Sequence, residues 1–597
     1  MDLKREKIRR KGILSVCFLI FLILYPLRHV GTGVDLMDGG YNYANFMFAG
    51  TERMDPMWFF ATWIANQAGA LLMRLPFGDT MLGMNVYTGL IVSLLASAGF
   101  LFCIKILKLP PWLAFLGEFA ACSLCWAPTA VLYNYLTYLF LLAGSVLLYM
   151  GLLRGRDGWL AAAGVLLALN VGVRFSNLAQ AGLILVVWIY AFLARKKWKD
   201  VLRETGFCML GYFSALGVLF LLMGALYGFE EYVNGILRLF QMTENATDYT
   251  PAQMLLSVGK AYWKCGYWVK RFLLIFAGGM AICLTPPRRR GEKVRKTLCL
   301  LLTAGLAYWL VTHNYFAANY STYETVYAPC LMVFVLTFCL SLFFVMKRGV
   351  AKEDKLPPLF AVFTIFLTSL GSNNAVHSSI NNLFLVFPFL LYMLWKLCRE
   401  QRSLLLFPAK ALMTAALLIL LVQAAGFGWV FVYEEATGGI AMDCEVEGVP
   451  VLRGMKTNQE KGKRLTELYE YLTQNGLGES EVILYGDIPG VAYYMELPPA
   501  INIWSDLRSY SLDAMRGDME RLTSKCASGG QLPTVILESE WAAYLKEPEL
   551  LADYPDRMAV EKLSLIRTFM DTFSYEKVYD NGKYVVFLKK SHKTACI

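Results

Sequence analysis

The stretch KREKIRRKGILSVCFLIFLILY, residues 4–25, decides the fold class of this chain. Several basic side chains precede a run from Gly12 to Tyr25 that contains no charged residue. Apolar runs of about 20 residues can span the hydrocarbon core of a bilayer, and basic residues beside such a run mark its cytoplasmic end. The N-terminus is therefore predicted to lie in the cytoplasm, and the run that follows it is predicted to be the first membrane span.

The rest of the chain repeats this pattern. Of its 597 residues, 57% are apolar and only 17% are charged, whereas soluble domains carry about a quarter charged residues. A polytopic α-helical membrane protein is predicted. Its apolar runs indicate about 13 spans, near residues 12–29, 81–106, 111–131, 134–153, 159–173, 178–194, 206–226, 267–285, 297–313, 326–346, 357–371, 381–397 and 405–432.

The formal charge of the chain is +10. The positions of its basic residues agree with the predicted membrane topology. The later basic clusters, such as Arg195–Lys199 and Lys396–Arg402, fall at every second junction between spans, which is the positive-inside pattern. This placement indicates contact with membrane lipids and argues against nucleic acid as a partner. An odd number of spans puts the segment after Val432 outside the cytoplasm. The compact plan favours a bacterial plasma membrane.

Two segments are predicted to lie outside the membrane spans. Residues 57–75, in the first exterior loop, are predicted to form one or two helices at the membrane interface; the alternative is an additional span. Residues 434–597 are predicted to form a small extracytoplasmic α/β domain beside a transmembrane catalytic domain of residues 1–433, because strand and helix patterns alternate there. The predicted elements are helices over Lys461–Gln474, Leu512–Thr523 and Leu563–Phe573, strands over Glu481–Tyr485 and Thr534–Leu537, and a hairpin over Tyr575–Lys589.

Two carboxylates follow the first span directly. Asp35 and Asp38 are three residues apart and share one face if the segment is helical. A carboxylate at such a site can deprotonate an incoming hydroxyl or amine, or hold a metal ion. The alternative interpretation is a solvated loop with an aspartate at a helix N-cap. No cofactor is predicted, and no ligand cluster in the sequence indicates a divalent metal.

The order of motifs in this loop resembles the GT-C glycosyltransferases, which include protein O-mannosyltransferases and lipid A aminoarabinose transferases. The motifs are Asp38-Gly-Gly-Tyr41, the proline at the start of the 57–75 segment, and the turn into the second span. Members of this superfamily have an acidic residue in the first exterior loop, commonly in an Asp-x-x-Tyr-like setting. The resemblance implies that Asp38 is the catalytic base and that Tyr41 lies at the substrate. Gly39 stands where a second acid is usual, so Asp35 is the alternative base.

The resemblance also implies an activity. Such enzymes take a sugar from a polyprenyl-phosphate donor and pass it, with inversion, to a lipid, glycan or protein acceptor at the outer face of the membrane. The stretch Val482–Tyr494 is similar to the first strand and helix of their exported domains. The donor already carries its leaving group, so no nucleotide cofactor is needed.

Binding of the lipid phosphate requires cations, and the predicted exterior segments contain few of them. The candidates are Arg174, Lys264, Lys270 and Arg271, although long basic side chains near span ends also extend towards lipid head groups. Arg53 lies near the acidic loop, where it is a candidate contact or a salt-bridge partner.

Two predicted exterior loops are rich in amide and aromatic side chains. They run over His313–Glu324 and Ser372–Asn382 and contain no lysine or arginine. Such side chains suit a carbohydrate-lined cavity, in which His313 and His377 are candidate substrate contacts. The alternative is that both loops are ordinary solvated turns.

A transporter or flippase of lipid-linked glycans is the alternative function. It would also have many spans and few exterior charges. Transporters often consist of related halves, whereas this sequence shows no internal repeat and predicts a long first loop and an exported domain. These features favour the enzyme.

Overall fold

The computed structural model describes residues 2–51, 56–245, 251–284, 291–313, 319–347, 349–370, 375–400, 407–433, 441–546 and 554–590. The predicted Arg53 contact lies outside these residues. Up to residue 430 the described chain is helical. The helices are α1 Asp2–Leu24, α2 Asp38–Met47, α3 Pro56–Ala61, α4 Trp63–Met73, α5 Met81–Lys105, α6 Pro111–Leu124, α7 Leu132–Arg154, α8 Asp157–Val173, α9 Ile184–Ala194, α10 Trp198–Tyr227, α11 Phe229–Asn245, α12 Pro251–Lys264, α13 Gly266–Leu284, α14 Gly291–Thr312, α15 Tyr327–Met346, α16 Leu356–Ser369, α17 Ala375–Ile380, α18 Val386–Glu400 and α19 Phe407–Val430.

The membrane character predicted from the sequence is confirmed, while the count of about 13 spans is not. Each predicted span overlaps one of these helices. Five helical segments among the described residues are long and apolar enough to cross a bilayer: Met81–Lys105, Leu132–Arg154, Phe175–Ala194, Trp198–Tyr227 and Tyr323–Met346. Others, such as Pro111–Leu124 and Asp157–Val173, are apolar but shorter.

Small residues set the closest helix contacts in the bundle. A Cβ atom on Gly164 of α8 would lie 2.1 Å from the carbonyl oxygen of Cys208 on α10. On the other side of this contact, a Cβ atom on Gly211 would lie 2.0 Å from the carbonyl oxygen of Ala161. Glycine lets helix backbones approach closely where lipid provides no hydrophobic driving force between helices. Elsewhere in the bundle, α1, α5, α6 and α19 pack together and surround the cavity described below.

The segment at residues 57–75 forms two short helices, α3 and α4, in agreement with the prediction of one or two. The buried polar side chain of Asn66 is satisfied within the segment. Asn66 is buried, and its side-chain amide donates hydrogen bonds to the Thr62 hydroxyl at 3.0 Å and to the Trp58 carbonyl oxygen at 3.3 Å. These bonds allow the segment to pack against its neighbours without an unpaired buried amide.

The chain after residue 440 contains both helices and strands. The helices are α20 Gln459–Gln474, α21 Val491–Tyr494, α22 Leu512–Ala527, α23 Ser539–Lys546 and α24 Arg557–Thr572. The strands are β1 Cys444–Glu445, β2 Lys456–Thr457, β3 Val482–Tyr485, β4 Thr534–Glu538, β5 Tyr575–Asp580 and β6 Tyr584–Lys589.

The larger sheet has the order β3-β4-β6-β5, with β3 parallel to β4 and the other pairs antiparallel. Each predicted helix and strand of this region is present, and the predicted hairpin turns through Gly582, which has a φ of +83°. Apolar periodicity explains this agreement, since α20 buries Gly462, Leu465, Leu468 and Leu472 on one face.

The mixed helix and strand region is joined to the loop between α1 and α2 by backbone hydrogen bonds. The Gly33 amide donates to the Lys456 carbonyl at 2.8 Å, and the Lys456 amide donates to the Gly31 carbonyl at 2.9 Å. Apolar side chains of α2, such as Tyr43 and Phe46, share one hydrophobic core with Leu484 and Val491. The acidic loop is thus packed between the helical bundle and the C-terminal region, and its position is fixed by both.

Candidate active site

The Asp35 carboxylate binds the backbone at the first turn of α2. It accepts hydrogen bonds from the backbone amides of Met37 at 2.9 Å and of Gly39 at 2.5 Å. These amides at the start of a helix have no partner within the helix, so a carboxylate at this position stabilises the turn. A Cβ atom on Gly39 would lie only 2.9 Å from the Asp35 carboxylate. The close approach explains why glycine, and not a residue with a side chain, stands at position 39.

Asp38 is the first residue of α2 and has a different environment. Its side chain is half-buried, and its carboxylate accepts a hydrogen bond from the Tyr433 hydroxyl at 2.6 Å. Burial raises the pKa of Asp38, and the Tyr433 hydrogen bond opposes part of that rise. A carboxylate with a raised pKa accepts a proton more readily than an exposed one. Of the two aspartates, Asp38 has the environment of a base.

The orientation of α2 depends on a close contact between two glycines. A Cβ atom on Gly40 would lie 2.4 Å from the Cα atom of Gly490, directly before α21. The Gly490 amide donates to the Leu36 carbonyl at 2.7 Å, and the Tyr494 hydroxyl donates to the Asp35 carbonyl. The C-terminal region thus holds both ends of the turn that carries Asp38.

Tyr41 packs at the same contact between α2 and the C-terminal region. It is 6% exposed, and its ring makes edge contacts with Trp504 and Trp58 at centroid distances of 5.4 and 6.2 Å. These contacts fix α2 between the C-terminal region and α3. A role of Tyr41 at the substrate stays a prediction.

A cavity of about 150 Å³ lies beside α2, at the ends of α1, α6 and α19. Its lining combines cationic, acidic and aromatic side chains, among them Arg28, His29, Asp35, Trp126, Tyr135 and Tyr433. Gly39 also lines it, and so does Tyr433, which binds Asp38. Asp38 therefore lies at the margin of this cavity, which is lined by a cationic side chain and by aromatic rings.

Arg28 and His29 are cavity residues that the sequence reasoning missed. Arg28 donates to the Tyr25 carbonyl at 3.1 Å and to the Gly428 carbonyl, and its guanidinium lies 4.1 Å from the centre of the Tyr25 ring. The His29 imidazole lies 3.4 Å from the same Gly428 carbonyl. A signal was available, because two basic residues at the outer end of the first span depart from the positive-inside pattern.

A row of aromatic rings leads away from Asp38. Tyr433 and Trp126 are stacked at 5.9 Å, and Trp126 and Tyr323 are stacked at 4.6 Å. His377 stands at the far end, with its ring 5.5 Å from Tyr323 and 6.0 Å from Trp126. The structure thus brings Asp38 and His377, two residues predicted from distant parts of the sequence, to one aromatic row.

His377 has an unpaired ring nitrogen at this position among the described residues. Within the described part of the chain, its buried Nδ1 atom has no hydrogen-bond partner. Burial lowers the pKa of His377, and nearby Glu324 opposes part of that change. A neutral imidazole with an unpaired ring nitrogen can bind a sugar hydroxyl.

The other predicted contacts form separate groups. Arg271 lies 3.8 Å over the Tyr267 ring, and His313 lies 5.4 Å from Trp309 and 5.8 Å from Tyr267, so both belong to an aromatic cluster on α13 and α14. Lys270 lies 4.7 Å over Trp263 beside that cluster.

Lys264 and Arg174 occupy two further positions. Lys264 is exposed at the end of α12. Arg174 donates to the Asn134 side chain at 3.3 Å and lies 5.2 Å from the Tyr133 ring centre. None of these cations lines the 150 Å³ cavity within the described residues. Binding of substrate by Arg174, Lys264, Lys270, Arg271 and His313 stays a prediction.

The fold and cavity define a helical membrane protein with a half-buried carboxylate at an aromatic site. Three structures of the Archaeoglobus fulgidus oligosaccharyltransferase are similar to it: a complex with zinc and sulfate, a form tethered to an acceptor peptide containing the NVT sequon, and the apo form. Their identities are 12%, 12% and 11%, and their TM-scores are 0.47, 0.46 and 0.45. The matches cover 96%, 97% and 97% of this chain and 73%, 74% and 75% of those chains.

No family model matches the chain, and no curated protein matches it either.

Proposed function

We propose that this protein is a membrane glycosyltransferase that moves a sugar from a polyprenyl-phosphate donor to a lipid, glycan or protein acceptor at the outer face of the membrane. The observation that carries the proposal is the position of Asp38. Its carboxylate has a pKa raised by burial and lies at the margin of a cavity that also holds Arg28 and a row of aromatic rings. A base, a cation and aromatic faces are the groups that this reaction needs.

Each group has a role in the proposed reaction. Asp38 takes the proton from the acceptor hydroxyl or amine as that atom attacks the anomeric carbon. The bond between the anomeric carbon and the phosphate oxygen breaks, and the polyprenyl phosphate leaves with the bonding electron pair. Arg28, at the end of the first apolar helix, stabilises the negative charge of the leaving phosphate. The Trp126 and Tyr323 rings and the free His377 nitrogen bind the sugar.

The proposal includes a topology and a domain division. Residues 1–433 form the transmembrane catalytic domain and residues 434–597 form the extracytoplasmic domain of a multi-pass plasma-membrane protein, as expected of a bacterial enzyme. The N-terminus is cytoplasmic. This orientation is supported by the basic residues before the first span and by their absence from the sequence between Gly12 and Tyr25.

Replacing Arg28 with glutamine is expected to weaken donor binding while leaving the chain folded. A hydrogen bond to a charged group contributes about 1.5–3 kcal/mol, so the KM for the donor should rise by about 10- to 150-fold. The measurement is the initial rate of sugar transfer against donor concentration. Arg567→Gln, on an exposed part of α24, is the matched control. If the KM is unchanged in Arg28→Gln and raised in Arg271→Gln, the phosphate is bound at the α13–α14 cluster and not by Arg28.

Replacing Tyr433 with phenylalanine is expected to shift the pH profile of the reaction. The Tyr433 hydrogen bond favours the ionised form of Asp38 and so lowers its pKa. Without this bond the pKa of Asp38 rises further, and the base is protonated at a higher pH. The acid limb of the kcat/KM profile should therefore move to higher pH, with activity retained on the alkaline side. A shift towards lower pH would contradict the assignment of Asp38 as the base.

One experiment separates the proposed function from the transporter alternative. The purified protein is reconstituted in proteoliposomes with radiolabelled polyprenyl-phosphate sugars and candidate acceptors. Transfer or release of the sugar supports the enzyme. Movement of intact labelled lipid between the leaflets, with no sugar released from any donor, would establish the transporter and overturn the proposal.

A further inference from the structure

Two polar grooves on the C-terminal region share lining residues, and together they are called the path. The inner groove, of about 380 Å³, lies between Asp35–Met37 and the C-terminal region, and the outer groove, of about 720 Å³, lies between α20 and the β5–β6 hairpin. Glu460 and Arg464 line both grooves. Asp35 lines the inner groove and also the cavity beside Asp38. The inner groove therefore borders the loop that carries Asp38.

The inner groove lies at the carboxyl ends of the two parallel strands. Asp487 follows β3, and Glu538 ends β4, which is where open α/β sheets bind ligands. Glu538 is already paired with Lys583 and accepts a hydrogen bond from the Asp487 amide at 3.1 Å. Within the described residues, no hydrogen bond or salt bridge engages the Asp487 carboxylate. Burial and the neighbouring Glu538 raise the pKa of Asp487. This carboxylate is free to accept hydrogen bonds from a ligand.

The outer groove ends in a pair of stacked tyrosines. The rings of Tyr471 and Tyr579 are 4.3 Å apart with an angle of 23° between their planes, and both side chains are half-buried. Gln474 and Asn581 add side-chain amides to the same groove. The distance along α20 from Glu460 to Gln474 is roughly 21 Å, at 1.5 Å for each residue. A ligand that fills the path must therefore be long.

The residues that line the two grooves indicate the chemical class of such a ligand. Glu460, Glu467, Glu470 and Asp580 supply four carboxylates to the outer groove. Within the described residues, Glu460 pairs with Arg464, Glu467 with Lys463 and Asp580 with Lys577, which leaves one carboxylate in excess. This excess of negative charge disfavours an anionic polymer. The groove is also too polar to hold a lipid chain. Carboxylates and amides accept and donate hydrogen bonds to hydroxyl groups, while tyrosine faces pack against the C–H faces of sugar rings. These features together match a neutral glycan.

We propose that this path binds an extended, neutral glycan chain as the acceptor, with Tyr471 and Tyr579 holding its distal sugars and Asp487 its proximal sugars. The inference rests on the proposed function, because it gives the acceptor of that reaction. A chain bound along α20 presents its end beside Asp35, in the loop that carries Asp38. Binding of several sugars at once favours a long acceptor over a short one.

The test uses the full chain in lipid nanodiscs. Calorimetry measures the binding of cellohexaose, maltohexaose and the hexamer of N-acetylglucosamine, with poly-L-lysine as a peptide probe. The wild type is expected to bind at least one hexasaccharide, and Tyr471→Ala should raise its Kd by about tenfold. Tyr544→Ala is the matched control, because Tyr544 is also half-buried and makes ring contacts in the same region. It should leave the Kd unchanged.

Three results would overturn the proposal. The first is that the wild type binds no hexasaccharide, and the second is that Tyr471→Ala and the wild type bind it equally. The third is a preference for poly-L-lysine over every glycan, which would assign the path to a cationic peptide.

Donor turnover separates this inference from the proposed function. If hexasaccharide binding depends on Tyr471 but the wild type consumes no polyprenyl-phosphate sugar, the glycan path stands and the transfer reaction fails. If donor is consumed and no glycan binds, the proposed transfer reaction is supported and glycan binding along the path is contradicted.

Discussion

Replacing Asp38 with asparagine is expected to abolish most sugar transfer while leaving the fold intact. A positioned base contributes typically about 10²- to 10⁴-fold to a rate, so kcat should fall by about that factor. Asparagine keeps the size of the side chain and can still accept a hydrogen bond from Tyr433, so the surroundings of α2 are preserved. The measurement is transfer of radiolabelled sugar by purified wild type and variant, with equal thermal stability as the condition for comparing them.

Asp35→Asn is the matched control for this prediction. Its carboxylate stabilises the first turn of α2 through two backbone amides, so its loss is expected to lower the stability of the protein as well as its activity. Loss of an N-cap contact costs about 0.5–2 kcal/mol. A variant Asp38→Asn with normal activity, beside an Asp35→Asn variant that is folded and inactive, would show that Asp35 is the base.

Replacing Gly40 with alanine is expected to separate α2 from the C-terminal region. The added Cβ atom would lie 2.4 Å from the Gly490 Cα atom, and a backbone atom cannot move aside as a flexible side chain can. Overpacking of this kind costs about 1–3 kcal/mol. A displacement of Asp38 by about 1 Å can also reduce the rate by about 100-fold. The measurements are the melting temperature in detergent and the rate of sugar transfer.

Gly206→Ala is the control for the glycine prediction. Gly206 lies in α10 with no atom near its missing Cβ position, so alanine there is expected to be neutral or slightly stabilising. If Gly40→Ala melts at the wild-type temperature and retains full activity, the close contact between Gly40 and Gly490 does not hold Asp38 in place.

The sequence by itself determined the positions of the longer apolar helices and most elements of the larger sheet. Apolar runs identified the membrane helices because burial in lipid requires them, and apolar periodicity identified α20, β3, β4 and the β5–β6 hairpin. The lengths of the membrane helices were less well determined. Several predicted spans correspond to shorter helices, such as Pro111–Leu124, because hydropathy measures composition and not where a helix ends.

The chemistry of the site was only partly visible in the sequence. The sequence singled out Asp35 and Asp38 in one loop, and it could not distinguish them because both are carboxylates in the same motif. The hydrogen bonds that separate them involve the amide of Gly39 and the hydroxyl of Tyr433, and Tyr433 lies 395 residues away in the chain. Such contacts depend on how distant segments pack, and no local pattern encodes them.

The tertiary structure also decided which cations face the cavity. Arg28 ends the first apolar helix and lines the cavity, whereas Arg271 packs on aromatic rings of α13 and α14. In the sequence both are basic residues beside apolar runs. Composition thus determined that the chain enters a membrane, because transfer free energy adds up residue by residue. The identity of the site residues was decided by packing, because a side chain's partners come from every part of the folded chain.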